Sequence, residues 1–206
     1  MVRRTKEEAQ ATRSHILDTA ELVFEQRGVS GTSLGEIAQA AGLTRGAIYW
    51  HFQDKADLFN AMMDRVTLPL EETRAACGFE GDDITLSQMR GSFVDVLRQV
   101  MTEPQLRRVF DIATHKVEYV GEMSAVRERH LAMRNGCLAD MERALRRAVR
   151  RGEVPKGTSP RSGAIGMVAL FDGLLQNWML DRDGFDLARV GGQVFDAYLR
   201  GLATPA

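Results

Sequence analysis

The sequence predicts an all-α protein in which three short N-terminal helices precede a larger helical body. Apolar residues recur at helical spacing along nearly the whole chain, and no run of strict alternation is long enough for a strand. Capping residues and glycines divide the chain into segments that suit short and then longer helices. The length of 206 residues fits one or two domains and is enough to bury a sizeable core.

The N-terminal helices are placed by their caps. The first carries an apolar stripe over residues 16–24 and ends at Gly28, because glycine suits the position just after a helix. Ser33 and Glu36 have the spacing of a capping box, which opens the second helix. Two further residues have side-chain oxygens that can cap the next helices, Thr44 and Asp54.

Longer helices are expected after about residue 65. Pro69 should kink or end the helix in which it lies. The arginine-rich stretch 127–151 predicts one long helix, and residues 187–202 carry a last amphipathic stripe. Residues 165–180 are apolar nearly all round, which is typical of a helix buried on several sides. Loops are expected at two places, 78–83 and 102–104.

Composition bears on the compartment and on the partners. Two cysteines, Cys77 and Cys137, are too few for a disulfide framework, which indicates a reducing compartment. The N-terminus lacks the apolar run of a signal peptide, and polar residues interrupt the most apolar stretch too soon for a membrane span. We therefore expect a soluble cytoplasmic protein. The net charge of −1 and pI of about 6.4 do not indicate a strongly basic nucleic-acid binder, so any DNA-binding interpretation rests on local residues.

The second and third helices, separated by residues 41–44, have the form of a helix-turn-helix. In that motif the second helix enters the major groove of DNA by its N-terminal end. Thr44 can offer a hydroxyl and a backbone N–H to a phosphate, and the Arg45 guanidinium can pair with a guanine edge. Gly46 has no side chain to hold the backbone away from the bases.

Aromatic and basic residues follow on the same segment. Tyr49 and Trp50 add aromatic surface with polar tips, while His51 and Lys55 lie where phosphates would pass. Taken singly, the aromatic residues are more often core residues, and Lys55 is more often a solvated lysine. Their occurrence together around a helix-turn-helix favours DNA binding.

The run from Thr32 to Leu58 resembles the DNA-binding segment of TetR-family transcriptional repressors. Within that family the chain is most similar to the multidrug-efflux regulators of the AcrR and TtgR type. The resemblance implies a DNA-binding domain at 1–53 and a helical ligand-binding and dimerisation domain at 54–206. It implies a small core of Ile37, Ala38, Ile48, Phe52 and Leu58. It also implies that eight residues face DNA, namely Thr32, Ser33, Thr44, Arg45, Tyr49, Trp50, His51 and Lys55.

Polar residues set among apolar ones predict an effector site in the body. Unpaired buried polar groups cost about 1–3 kcal/mol each, so they must meet each other, water or a ligand. We prefer a pocket for a small hydrophobic or aromatic effector, lined partly by Phe110 and Trp178, with methionines as adaptable walls. Internal pairing in a core is the alternative for each polar residue. The candidate effector residues are Asp111, His115, Glu118, Cys137, Val168, Phe171, Asp172 and Gln176.

The last two helices form the predicted homodimer surface, as the resemblance also implies. Apolar residues there exceed what one core face needs, namely Ile165, Val168, Ala169, Leu175 and Trp178. Gly191 and Gly192 permit close backbone approach. The arginines over 143–151 most simply form a solvated face, with a second nucleic-acid site as the alternative.

A mechanism follows from dimer geometry. Two recognition helices must lie about 34–36 Å apart to read a palindrome. An effector that repacks the body can shift the helix beginning near Asp54 and spoil that spacing. It must bind the DNA-incompetent state more tightly, because equal affinity for both states shifts nothing. The expected result is release of double-stranded operator DNA and derepression of a nearby gene, and the resemblance implies that this gene belongs to an efflux operon.

Other functions are weighed against this one. An activator or architectural protein could use the same motif without effector control. An enzyme could use His115 with Asp111 or Glu118 as acid and base, and the same three residues have metal-ligand spacing. Residues 31–35 match the G-x-S-x-G pattern of hydrolases, but a predicted helix precedes them where that chemistry needs a strand. We expect no enzyme activity, no metal and no cofactor.

Overall fold

The computed structural model describes residues 6–76 and 85–203. Within these ranges the chain forms nine α-helices, one short 3-10 helix and no strand, so the predicted all-α fold is confirmed. In chain order the α-helices are α1 (Lys6–Arg27), α2 (Leu34–Ala40), α3 (Arg45–His51), α4 (Lys55–Ala76), α5 (Leu86–Thr102), α6 (Pro104–His115), α7 (Ser124–Arg151), α8 (Pro160–Leu180) and α9 (Leu187–Ala203). The 3-10 helix, Gly121–Met123, lies between α6 and α7.

The predicted caps are confirmed. Ser33 and Glu36 form both bonds of a capping box at the start of α2. The Thr44 hydroxyl accepts the backbone N–H of Ala47 at 3.2 Å at the start of α3. The Asp54 carboxylate accepts the backbone N–H of Asp57 at 2.8 Å before α4.

Three predictions for the body have different outcomes. The junction at 102–104 is confirmed, because α5 ends at Thr102 and α6 begins at Pro104. The helix that contains Pro69 continues to Ala76 and so does not end there. Pro69 is exposed on the helix surface. The predicted loop at 78–83 lies outside the described residues, as does Cys77.

Contacts divide the chain into two compact units. The first comprises Met1–Leu68 and Gln105–Arg129, and the second comprises Pro69–Pro104 and His130–Ala206. By contacts, the first unit therefore extends past the predicted domain boundary after residue 53 and also includes α6. That boundary was proposed for function, and it stays a prediction.

The first unit is built around the helix-turn-helix. The predicted small core is confirmed, since Ile37, Ala38, Ile48, Phe52 and Leu58 are all buried to within 1%. Phe24 of α1 adds to this core, and its ring lies 6.3 Å from that of Phe59 on α4. Burial of each of the larger apolar side chains contributes roughly 1.5–3 kcal/mol, which holds the short helices α2 and α3 in place.

The second unit packs α5, α7, α8 and α9 around their apolar faces. Three methionines, Met89, Met141 and Met167, lie fully or almost fully inside its core, together with Leu138, Ala144, Leu145 and Ala164. Phe93 of α5 stacks on Phe195 of α9 with ring centroids 4.9 Å apart. These methionines are thus core residues, and their role as adaptable walls of an effector pocket stays a prediction.

Part of the predicted dimer surface on α8 and α9 lies inside the chain's own core. A Cβ at Gly191 would lie 2.4 Å from Leu97 Cδ1, so this glycine permits close approach of α5 to α9 within one chain. Leu175 and Trp178 are buried in the chain's own core at 5% and 4% exposure. Helix α8 is not buried all round, because Ile165 is 49% exposed.

In the part of the chain that the structure describes, no helix is long and apolar enough to cross a membrane.

Candidate nucleic-acid interface and effector site

Helix α3 presents a polar and aromatic face to solvent. Thr44, Arg45 and Gly46 are exposed at its N-terminal end, and Tyr49 and Trp50 are 46% and 71% exposed further along. The helix contains no acidic residue. Because large aromatic side chains are costly to leave in water, an exposed pair beside a guanidinium indicates a binding surface.

Contacts within α3 orient these side chains. The Arg45 guanidinium carbon lies 5.7 Å from the centre of the Tyr49 ring, within the range of a cation–π contact. Trp50 meets the His51 ring edge-on at 4.6 Å, and His51 is half-buried between Trp50 and Phe52. Contacts among neighbouring side chains therefore hold part of this exposed face in a fixed arrangement.

The turn between α2 and α3 is fixed by the backbone and by α1. Gly42 has φ of +67°, a left-handed conformation that glycine adopts without strain. His15 of α1 donates its Nε2 proton to the carbonyl oxygen of Ala41 at 3.0 Å. Arg13 lies over the Phe52 ring at 5.0 Å. Sequence reasoning missed His15 and Arg13, because both precede the motif and only the packing of α1 brings them to it.

Ser33 stands exposed at the start of α2. Its hydroxyl bonds to the Glu36 carboxylate at 2.8 Å, and its own backbone N–H bonds to the same oxygen at 2.8 Å. These hydrogen bonds lower the pKa of Glu36. Ser33 is thus a helix cap whose side chain is also exposed to solvent.

Thr32 and Lys55 are not exposed as the resemblance implied. Thr32 is 3% exposed, and its hydroxyl donates to the carbonyl oxygen of Gly28 at 2.8 Å. Lys55 is 7% exposed, and its ammonium donates to the carbonyl oxygens of Val29 and Thr32 at 2.9 and 3.0 Å. The structure corrects the DNA-facing role for these two side chains, because their polar atoms are satisfied inside the protein.

A buried carboxylate ties α1 to α4 and α6 in the first unit. Glu21 is 1% exposed. Its Oε1 accepts from Gln105 Nε2 at 2.8 Å and from Arg65 at 3.4 Å, and Arg108 lies 3.6 Å from Oε2. Desolvation raises the pKa of Glu21, while the bond from Gln105 and the charge of Arg65 oppose the rise. The sequence signal was an acid inside the apolar stripe 16–24, and it was overlooked.

The effector candidates of the first unit pair with each other in part. Asp111 and His115 are half-buried, and His115 Nδ1 donates to Asp111 Oδ1 at 3.0 Å. The other ring nitrogen, Nε2, is buried and meets no hydrogen-bond partner among the described residues. Glu118 is exposed. The described residues hold no group of three or more potential metal ligands.

The remaining effector candidates belong to the second unit. Cys137 and Val168 are partly buried against the core cluster of Met89, and the Phe171 ring lies 5.3 Å from that of Phe93. Gln176 and Asp172 are exposed, although atoms packed around the Asp172 carboxyl raise its pKa by desolvation. The single site that joins these five residues to those of the first unit stays a prediction.

Comparison with known protein families gives two matches. Residues 16–62 match the bacterial regulatory proteins of the tetR family. Residues 85–204 match the C-terminal region of MAATS-type transcriptional repressors.

Individual proteins agree with these matches. The chain is 43% identical over 194 residues to the HTH-type transcriptional regulator AcrR of Shigella flexneri, covering 92% of this chain and 88% of that protein. The crystal structure of NalD, the secondary repressor of the MexAB-OprM multidrug efflux pump in Pseudomonas aeruginosa, superposes with a TM-score of 0.87 at 34% identity, covering 96% and 98% of the two chains. A structure of a SmeT–triclosan complex superposes with a TM-score of 0.81 at 32% identity, covering 93% and 91%. The resemblance to efflux regulators of the AcrR and TtgR type is thereby confirmed.

Proposed function

Because the chain belongs to the TetR family of bacterial regulatory proteins, we propose that it is a ligand-responsive repressor that binds a palindromic operator as a dimer. The exposed face of α3, with Arg45, Tyr49 and Trp50 beside two small residues and no acid, is the observation that carries the proposal. Arg45 would pair with a guanine edge, and Thr44 and Ser33 would bind phosphates. Its place of action would be the cytoplasm, where operator DNA lies.

An apolar groove on the second unit supports the dimer. It runs between α8 and α9 and is lined by Ala169, Leu170, Gly173, Leu174, Asn177, Phe185, Val190 and Val194. Beside it, Ile165 and Leu180 are 49% and 73% exposed. A second copy that covers this face would bury apolar surface that is costly to leave in water. A dimer reads a palindrome when its two α3 helices lie about one DNA turn, roughly 34–36 Å, apart.

Two unsatisfied buried atoms support an effector role. His115 Nε2 and Trp178 Nε1 are buried without a hydrogen-bond partner among the described residues. Such groups cost about 1–3 kcal/mol each, which a bound polar group would relieve. The SmeT relative is solved with triclosan, a small aromatic molecule, and we propose an effector of the same general class. No catalytic role is proposed for the Asp111–His115 pair.

The regulated genes are proposed from the relatives. NalD is a repressor of a multidrug efflux pump, and this chain matches it over nearly its full length. We propose that this chain represses an efflux operon, with the effector as an inducer. Release requires that the effector bind the DNA-incompetent state more tightly than the DNA-bound state.

Fluorescence anisotropy on the DNA upstream of the chain's own gene tests DNA binding. We expect tight binding that requires the native DNA sequence and is lost in Tyr49→Ala. Scrambled DNA and a salt series serve as controls. Weak, sequence-blind and steeply salt-dependent binding would contradict the proposal, since it reports only phosphate attraction.

The same assay tests effector control. Triclosan and other small aromatic compounds are added to the protein–DNA complex, and a concentration-dependent fall in anisotropy is expected. Thermal unfolding of the free protein should show a matching rise in Tm. Specific binding that no compound alters would favour the activator or architectural alternative.

A further inference from the structure

The ammonium group of Lys55 lies inside the first unit and has three partners. It donates to the carbonyl oxygens of Val29 and Thr32 at 2.9 and 3.0 Å, and it meets Glu122 Oε1 at 2.7 Å. A buried ammonium is costly unless it is paired and hydrogen-bonded. All three of its donor positions are therefore used.

The two carbonyl oxygens belong to the loop that leads into α2. Lys55 begins α4, so its side chain ties the start of α4 to the loop between α1 and α2. Ser33, the next residue after Thr32, caps α2 and is a proposed phosphate contact. A change in the loop would move Ser33 and the N-terminal end of α2 together.

The segment after α6 holds the same loop at two points. Glu122 supplies the carboxylate that faces Lys55, from the 3-10 helix Gly121–Met123. The carbonyl oxygen of Lys116 accepts the backbone N–H of Val29 at 2.8 Å. Glu122 thus acts on the loop through Lys55, and Lys116 acts on it directly.

We propose that Glu122 is a positioning residue for operator binding. Through Lys55 it holds the loop 28–33 and the start of α2 in the arrangement that DNA requires, and it makes no contact with DNA itself. This inference rests on the proposed function.

Charge alone predicts the opposite effect of removing this acid. Glu122 has a side chain 57% exposed, and it lines a groove together with Ser33, Tyr49 and Lys55. DNA is a polyanion, so loss of a carboxylate beside the binding surface should strengthen binding if only long-range electrostatics mattered. A positioning role requires that the loss weaken binding. Whether binding becomes weaker or stronger on loss of Glu122 therefore distinguishes a positioning role from a purely electrostatic one.

The test measures operator affinity by fluorescence anisotropy for the wild-type chain, Glu122→Gln and a matched control, Glu128→Gln. Glu128 is a nearby exposed acid at the start of α7 to which no binding role is assigned. We expect Glu122→Gln to weaken specific binding about tenfold, because the Lys55 ammonium loses its counter-charge. Glu128→Gln should bind as tightly as the wild type or slightly more tightly.

The salt dependence of binding gives a second test, because loss of a direct DNA contact would change it. In Glu122→Gln the slope of log K against log salt should equal that of the wild type, because no phosphate contact is removed. In a Lys55→Met background, Glu122→Gln should have no further effect, since the two residues act as one unit. Glu122→Asp, which keeps the charge but shortens the side chain, should lose less affinity than Glu122→Gln and guards against a misfolded Gln variant.

Unchanged or tighter specific binding by Glu122→Gln and Glu122→Asp overturns the inference and leaves the proposed function intact. Failure of the wild-type chain to bind any DNA specifically overturns both. An additive effect of the Lys55 and Glu122 variants also overturns the inference, because it shows that Glu122 does not act through Lys55.

Discussion

Charged residues in the first unit fall into two groups, those whose charge is exposed and those whose charge is buried. Arg45 is exposed on α3 and free to reach a base, whereas Lys55, ten positions along the same motif, is enclosed and bonded to the protein. Both are long basic side chains in a DNA-binding segment, so residue type does not separate them. The loop 28–33 makes the difference, because its carbonyl oxygens accept hydrogen bonds from the Lys55 ammonium group.

Glu21 predicts a pH dependence of stability. Desolvation raises its pKa in the folded state above the ordinary value of 4.5. The folded state therefore binds the proton more tightly than the unfolded state, and this carboxyl favours folding less as pH rises through 4.5 and through the raised folded pKa. We expect Glu21→Gln to gain stability relative to the wild type between pH 4.5 and neutrality.

Thermal unfolding midpoints of both proteins across that pH range check this. Glu7→Gln, which removes an exposed acid from the same helix, is the control. A difference between Glu21→Gln and the wild type that stays constant with pH would show that the carboxyl does not titrate differently in the folded state.

Among the helices and turns, two glycines have equal space around them but differ in backbone conformation. A Cβ would meet nothing within 4 Å at Gly42 or at Gly136, but Gly42 has φ of +67° while Gly136 lies inside α7. We expect Gly42→Ala to destabilise the fold by about 1–2 kcal/mol through left-handed strain. Gly136→Ala should stabilise it by up to about 1 kcal/mol through helix propensity. Urea unfolding measures both, and equal effects would show that backbone strain at the turn is not the cause.

The contact between α5 and α9 gives a second pair. A Cβ at Gly191 would lie 2.4 Å from the fully buried Leu97, whereas at Gly201 of the same helix it would meet nothing within 4 Å. We expect Gly191→Ala to cost about 1–3 kcal/mol, because Leu97 must leave its place in the core. Gly201→Ala should cost nothing. Circular dichroism melts of the two variants check this, and a tolerated Gly191→Ala would mean that α5 and α9 can separate slightly without loss.

For the assembled repressor, the groove between α8 and α9 predicts how dimer and DNA binding are linked. Ala169 is exposed and lines this groove. Ala169→Arg should place a charge in the proposed interface, give a monomeric mass by sedimentation at micromolar concentration and weaken operator binding, since one half-site is lost. Ala132→Arg, at an exposed position of α7, is the control. A dimeric Ala169→Arg variant would place the interface elsewhere.

Local signals sufficed for much of the fold and of the candidate site. The sequence predicted the caps at Ser33, Thr44 and Asp54 and the apolar spacing of the helices, because each depends on residues three or four positions apart. The exposed residues of α3 were predicted for the same reason, since the spacing of residues along a helix determines which of them share a face. Where the packing of a distant segment decided the outcome, the prediction was wrong, as for Lys55, or incomplete, as for Trp178 and Gly191.

Helical class, helix starts and the helix-turn-helix thus follow from short-range chemistry written into neighbouring residues. The partners of Lys55, the carboxylate between α1, α4 and α6, and the approach of α5 to α9 follow only from tertiary structure. Each joins residues far apart in the chain, and their energies depend on burial, which no local pattern specifies. The sequence does not show whether a lysine or glutamate is solvated or buried. The surrounding protein decides this, and with it the partners and the pKa of the group.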